Sequence, residues 1–181
     1  MGMVFWFLGE VGWAIYTLVL GVEVPYPSIA DVAWLIGYIP MIIAFQIYLR
    51  VFHFAISKKT FLAEVFTVVI LSLALYGYLV SPILAGVAEE ATALIFDIVY
   101  PTLDIVLFGS AMLGLFIFAK GKIAPAWLLI SGAILTDVVA DMVFGYTTLN
   151  GTYYNGHWLE LFFHCGYILF ALAFYAHRKE L

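Results

Sequence analysis

An all-α membrane protein, a six-helix transmembrane bundle with both termini in the cytoplasm, is the fold class this sequence predicts. Three observations predict it. Of the 181 residues, 66% are hydrophobic and only 10% are charged, whereas a soluble domain carries about 25% charge. The apolar residues gather into runs long enough to cross a hydrocarbon core of about 30 Å, which takes about 20 helical residues. The seven Lys and Arg residues fall after every second run and nowhere else, the signature of cytoplasmic connections.

On that ruler the expected spans are Val4–Gly21, Ile29–Val51, Phe61–Ser81, Ala91–Ala119, Ile123–Tyr146 and His157–His177. Each exceeds the roughly 9–11 residues of a membrane strand, and only helices or closed barrels satisfy backbone groups in lipid. The first run has no basic leader, carries Glu10 and lacks a small-residue cleavage site, so it reads as a span and not as a signal peptide. Arg50, Lys58 and Lys59 follow the second run, Lys120 and Lys122 the fourth, and Arg178 and Lys179 the sixth. The other connections hold Glu23, Glu89 and Glu90. Tyr26, Tyr153, Tyr154 and Trp158 suit an interfacial aromatic belt at that opposite side. Asn150-Gly151-Thr152 matches a glycosylation sequon, although Asn-Gly is equally a turn signal. Glu64, close to Lys58 and Lys59, reads as a solvated pairing residue. No segment is left for a soluble domain, so residues 1–181 are expected to form a single integral membrane domain, multi-pass in the cell membrane, with the lipid bilayer as its first partner.

Several function classes drop out. The net charge is -5 and no basic patch exists, which excludes a nucleic-acid partner. No Lys lies inside a predicted span, so a retinal Schiff base has no anchor. There is no Gly-rich phosphate loop, Ser–His–Asp order or Cys-x-x-Cys. The one cysteine, Cys165, reads as a small buried hydrophobe.

A weak internal repeat is visible. Asp31-Val-Ala-Trp34-Leu-Ile-Gly37-Tyr38 and Glu160-Leu-Phe-Phe163-His164-Cys-Gly166-Tyr167 share acid-x-x-aromatic-x-x-Gly-Tyr. Asp97-Ile-Val-Tyr100-Pro101-Thr-Leu-Asp104 is a looser copy. The expectation is three repeated two-helix hairpins in parallel orientation, with a site between repeats. Close packing at Gly and anchoring by Tyr would give the same pattern without repetition.

The acids inside the spans are the main signal. A charge at the bilayer centre costs about 2.5–3.5 kcal/mol on insertion scales, so these groups must face the bundle interior, a watery cavity or one another. Asp137 and Asp141 share one face of the fifth span at i,i+4. His157, Glu160 and His164 fall on one face of the sixth. Asp97 and Asp104 flank Pro101, which is expected to kink the fourth. With Glu10 and Asp31 these residues outline an acidic, histidine-bearing vestibule opening outward. Tyr38, Tyr100 and neighbouring rings would offer π-faces to a flat or cationic ligand. The candidate ligand-binding residues are therefore Glu10, Asp31, Asp97, Asp104, Asp137, Asp141, Tyr38 and Tyr100. Imidazole with carboxylate also suits zinc or another divalent metal, and His157, Glu160 and His164, with Asp137 and Asp141 nearby, are the candidate ligands. A hydrogen-bonded network that merely fixes helix register is the competing reading. His53 and His177 lie toward the other side of the membrane, where two histidines could ligate a haem edge.

Pro27-Ser28-Ile29-Ala30-Asp31-Val32, followed by Trp34 and Gly37-Tyr38, resembles the P-S-L-A-D-x-x-Y-x-x-G-Y run of polytopic membrane sensory-input domains. Those domains precede GGDEF diguanylate cyclase or histidine-kinase modules in bacterial signalling proteins. Tyr100-Pro101 with Asp104, Ala140-Asp141, and Glu160 with Gly166-Tyr167 resemble later landmarks of the same domains. The resemblance implies sensing of a ligand through the membrane-embedded acids. No output module follows before Leu181, so signalling would pass through a separate partner.

Three functions fit these residues. The first is a sensor-like protein capturing a small ligand or cation. The second is an intramembrane hydrolase that acts on a lipid, with zinc on His157, Glu160 and His164 and with Asp137 or Asp141 as general base. The third is a proton-coupled or cation transporter using Asp31, Asp141, Asp137, Asp104 and Glu10 as a relay.

Overall fold

A computed structural model describes residues 1–77 and 91–180. Among the described residues six α-helices follow one another and there is no strand. Helix α1 spans Gly2–Ala14 and continues as a π-helical stretch, Ile15–Leu20. It stops at Gly21, whose φ of 62° is left-handed and open to glycine at little cost. Helix α2 is Ile29–Val51, matching its expected bounds. Its start is set by a capping box: Ser28 Oγ accepts from the Ala30 N–H at 3.2 Å, and Asp31 Oδ2 accepts from the Ser28 N–H at 2.7 Å.

A 3₁₀ turn, His53–Ala55, leads to α3, Lys58–Leu75. Ser57 caps α3, its Oγ accepting from the Thr60 N–H. The last residues of the expected third span, with Glu89 and Glu90, lie outside the described residues. Helices α4, Ala91–Phe118, α5, Ala124–Leu149, and α6, Glu160–Glu180, complete the chain. Pro40 in α2 and Pro101 in α4 sit inside helices that continue through them.

Five of the helices are long and apolar enough to cross a membrane, so the chain is a multi-pass membrane protein. Helix α3, with Lys58, Lys59 and Glu64 in its 18 described residues, is the exception. The polarity of the bundle is inverted relative to a soluble protein. Leu18, Phe66, Phe54 and Leu161 face outward, while Asp104, Asp137, Ser110 and Ser131 are buried. Lipid as the surrounding solvent requires this arrangement.

Helices α1 and α2 pack as a pair, as do α3 and α4, and α5 and α6; α4 also packs against α2 and α5. Trp6, Tyr38, Leu107, Phe108, Trp127, Ile134, Val138 and Phe170 form the core. Small residues admit large ones: Trp6 lies where a Cβ on Gly37 would stand, and Trp127 does the same at Gly114. At one end of the bundle Tyr48, Phe52, Phe118, Trp127 and His177 pack ring on ring. This gathers the C-terminal ends of α2, α4 and α6 with the start of α5, next to the basic residues in sequence. The acids collect toward the other end.

The sixth helix begins at Glu160, three residues later than expected. Glu160 Oε1 turns back to accept from the Gly156 N–H at 2.8 Å and from Tyr153 Oη at 2.9 Å. An acid thus sits at the helix N-terminus, where its charge suits the dipole. His157 is left in the turn ahead of the helix, not on the helical face with Glu160 and His164.

Candidate functional site

Five tyrosine hydroxyls donate to five carboxylates around the acidic end. Tyr26 bonds Asp97 Oδ1 at 2.5 Å, Tyr38 bonds Asp104 Oδ1 at 2.6 Å, and Tyr167 bonds Glu10 Oε1 at 2.7 Å. Tyr153 reaches Glu160, and Tyr100 reaches Asp31 Oδ1 at 3.2 Å. Four of the five join different segments of the bundle; Tyr153 to Glu160 closes the loop before α6. Buried polar groups need such partners, and a tyrosine in a helix interface meets the need without adding charge.

Two of these tyrosines lie in connections outside the spans. Burial, then the hydrogen bond to Asp97 and that carboxylate's charge, push the Tyr26 phenol well above its ordinary value. Burial and Glu160 do the same for Tyr153. Both hydroxyls therefore stay protonated and keep donating throughout the neutral range.

Behind this ring lies a cavity of 840 Å³. Glu10, Asp31, Asp97, Asp137, Asp141, Glu160 and His164 line it, and among the described residues no Lys or Arg does. Its aromatic wall is Trp6, Trp13, Trp34, Tyr38, Tyr100 and Tyr167. Trp13 and Trp34 stand 5.9 Å apart between ring centroids, and Trp6 meets Tyr38 edge-on at 5.2 Å. The exposed loop residues Asn155 and Gly156 also border it, so the cavity reaches the end of the bundle where α6 begins.

The acids differ in what they already hold. Asp31 is largely spoken for: Oδ2 takes both the N–H and the Oγ of Ser28 at 2.7 Å, and Oδ1 takes Tyr100. Glu160 is occupied by its own loop. Glu10 and Asp97 each accept a tyrosine. Asp104 is 2% exposed and bonds Tyr38 through Oδ1, while its Oδ2 has no partner. It sits behind Tyr38 and does not line the cavity. Asp141 lies beside Asp104 and Asp137.

Asp137 stands apart. It is 4% exposed, lines the cavity, and neither carboxylate oxygen has a hydrogen-bond partner. Its position depends on Gly166 across the α5–α6 contact: a Cβ there would run into Asp137 Oδ1. The structure thus brings Glu10, Asp31, Asp97, Asp137, Asp141, Tyr38 and Tyr100 around one space, with Asp104 one side chain behind it.

The expected trio His157, Glu160 and His164 does not assemble as a metal centre. Among the described residues no group of three or more His, Cys, Asp or Glu side chains is placed to hold an ion. The His157 Nδ1 accepts from the Leu159 N–H at 3.3 Å, and His164 Nδ1 donates to the Glu160 carbonyl at 2.6 Å. Both rings are tied to local backbone, and Glu160 is drawn away into its loop. The inner histidines are also separated. His53 Nδ1 bonds its own chain at Arg50 O, whereas His177 Nε2 pairs with Tyr48 Oη. Cys165 is exposed on the outer face of α6, not buried.

Sequence reasoning placed Tyr26 and Tyr153 in an interfacial belt and assigned Tyr167 no acid. Each donates to a carboxylate. Tyr26 and Tyr167 reach across 71 and 157 residues of chain, a separation at which periodicity carries no information. Comparison with known protein families, curated proteins and solved structures finds no match to this chain.

Proposed function

We propose that this chain is a sensor-like binding protein of the cell membrane, with both termini cytoplasmic, that captures a small ligand or cation in the acid- and aromatic-lined cavity. One observation carries the reading: Asp137, buried at the cavity wall with two unsatisfied oxygens. An unpaired buried carboxylate is costly. Strained or unpaired polar groups persist where function uses them. A cavity of several hundred Å³ walled by rings with a few polar groups is the usual form of a small-molecule site.

Other features agree. Gly37 and Gly166, at matching repeat positions, receive a side chain from the preceding helix, and Tyr38 and Tyr167, the next residues, each bond an acid of a different hairpin. This supports a repeat with the site between its copies. The resemblance to sensory-input domains points the same way, with a separate partner carrying the signal. The ring cluster around Trp127 packs the opposite end, which favours capture over passage.

The test is a thermal-shift screen of detergent-purified protein against organic cations, neutral aromatics, anions and divalent metals. Saturable stabilisation by at least one class is expected, and its loss in Asp137→Asn places the site. A melting temperature unmoved by the whole panel overturns the proposal.

A further inference from the structure

The ligand class can be narrowed, on the condition that the binding reading above holds. We infer that the cavity takes an organic monocation whose charged end carries several N–H donors and whose body is flat and apolar, such as an arylalkyl ammonium or an aryl amidinium.

The argument begins with what the wall lacks. Both oxygens of Asp137 are without donors, and a carboxylate accepts at about four lone-pair positions. A ligand must therefore bring at least two donors to one point, which an ammonium or amidinium does and a hydroxyl does not. Five other carboxyls at this end already take a tyrosine hydroxyl proton, and among the described acids that line the cavity Asp137 is the one with both oxygens bare. The sign follows from the lining: among the described residues it holds six carboxyl groups, one imidazole, and no Lys or Arg. An anion would find little to oppose its charge.

The size and shape follow from the rest of the wall. A cavity of 840 Å³ is far larger than a dehydrated metal ion needs, and no three ligating side chains converge among the described residues. A body of ring size fills it. Trp13, Trp34 and Tyr100 supply faces against which a flat group stacks and toward which a cation is drawn within about 6 Å. Gly166 completes the design. Because it has no Cβ, the Asp137 carboxylate can lie against the backbone of α6 while its side chain borders the cavity.

The probes are 2-phenylethylammonium and benzamidinium, compared with neutral 2-phenylethanol and with Zn²⁺. Intrinsic tryptophan emission reports binding, since Trp6, Trp13 and Trp34 line the cavity, and calorimetry checks each affinity. Saturable binding of either cation, at least tenfold tighter than the neutral alcohol and at least tenfold weaker in Asp137→Asn, is expected. Should the alcohol or Zn²⁺ bind as well as both cations, the inference is overturned while capture of a ligand stands. Equal cation affinity in Asp137→Asn overturns it too. If nothing binds in this set or in the wider thermal screen, both fall. The contrast between charged and neutral probes on the unaltered protein needs no variant to fold.

Discussion

Tyr167 on the last helix donates its hydroxyl to Glu10 on the first, at 2.7 Å, across 157 residues of chain. This bond links α6 to α1, with Trp6 edge-on to Tyr167 and Phe170 beside it. The first and last helices are thereby clasped around the cavity that both of them line.

Removing either side of that clasp leaves the other buried group short of a partner. Interhelical hydrogen bonds in membrane proteins are worth about 0.6 kcal/mol on average and up to about 1.7. Tyr167→Phe and Glu10→Gln are each expected to lower unfolding free energy by about 1 kcal/mol. A double-mutant cycle should show favourable coupling between them. Strict additivity would mean that the pair contributes nothing as a pair.

Gly166→Ala places a methyl group where Asp137 Oδ1 now lies. Overpacking of this kind costs typically 1–3 kcal/mol. The variant is expected to melt lower than wild type, and Asp137→Ala in the same chain should recover most of the loss by removing the obstructing carboxylate. A double variant no better than Gly166→Ala alone would refute the contact.

Ser28 and Asp31 hold the start of α2 by reciprocal hydrogen bonds. Ser28→Ala should cost about 1 kcal/mol, the usual loss for an N-cap. Hydrogen exchange is the sensitive readout: the amides of Ile29, Ala30 and Asp31 should exchange faster, while those near Met41 keep their protection.

Alkali should unfold the protein in a defined window. The phenols of Tyr26 and Tyr153 are raised above their ordinary value by burial and by Asp97 and Glu160. Above about pH 10, where unfolded tyrosine ionises, the unfolded chain binds fewer protons than the folded one, so stability falls as pH rises. The contribution of these tyrosines is fully present below that pH. Tyr153→Phe is expected to flatten this alkaline slope in chemical-denaturation series read between pH 9 and pH 11 (about one unit either side of the ordinary value). An unchanged slope would count against the assignment.

Much of the fold is legible in the sequence, for specific reasons. The bounds of α2 are marked by the apolar run that opens at Ile29 and by Arg50 at its end. The start of α6 was misplaced because Glu160 looked like a mid-face residue, when it is a capping acid held by Gly156 and Tyr153. The gathering of acids was legible from the cost of charge in lipid, which forces such groups inward. Their partners were not, because tyrosines in an aromatic-rich chain look alike until the helices are arranged. The proposed metal trio depended on helical phase carried through His157, and the turn at 154–159 breaks that phase.

The tyrosine–carboxyl bonds bind distant positions into evolutionary couples. A lineage that replaces Tyr38 by phenylalanine strands Asp104 with both oxygens bare, so position 104 should drift to an amide or an apolar residue soon afterwards. Columns 10 and 167, 38 and 104, and 26 and 97 should therefore covary among descendants of this chain. Position 137, which leans on no tyrosine, is free to keep its carboxylate while the others exchange.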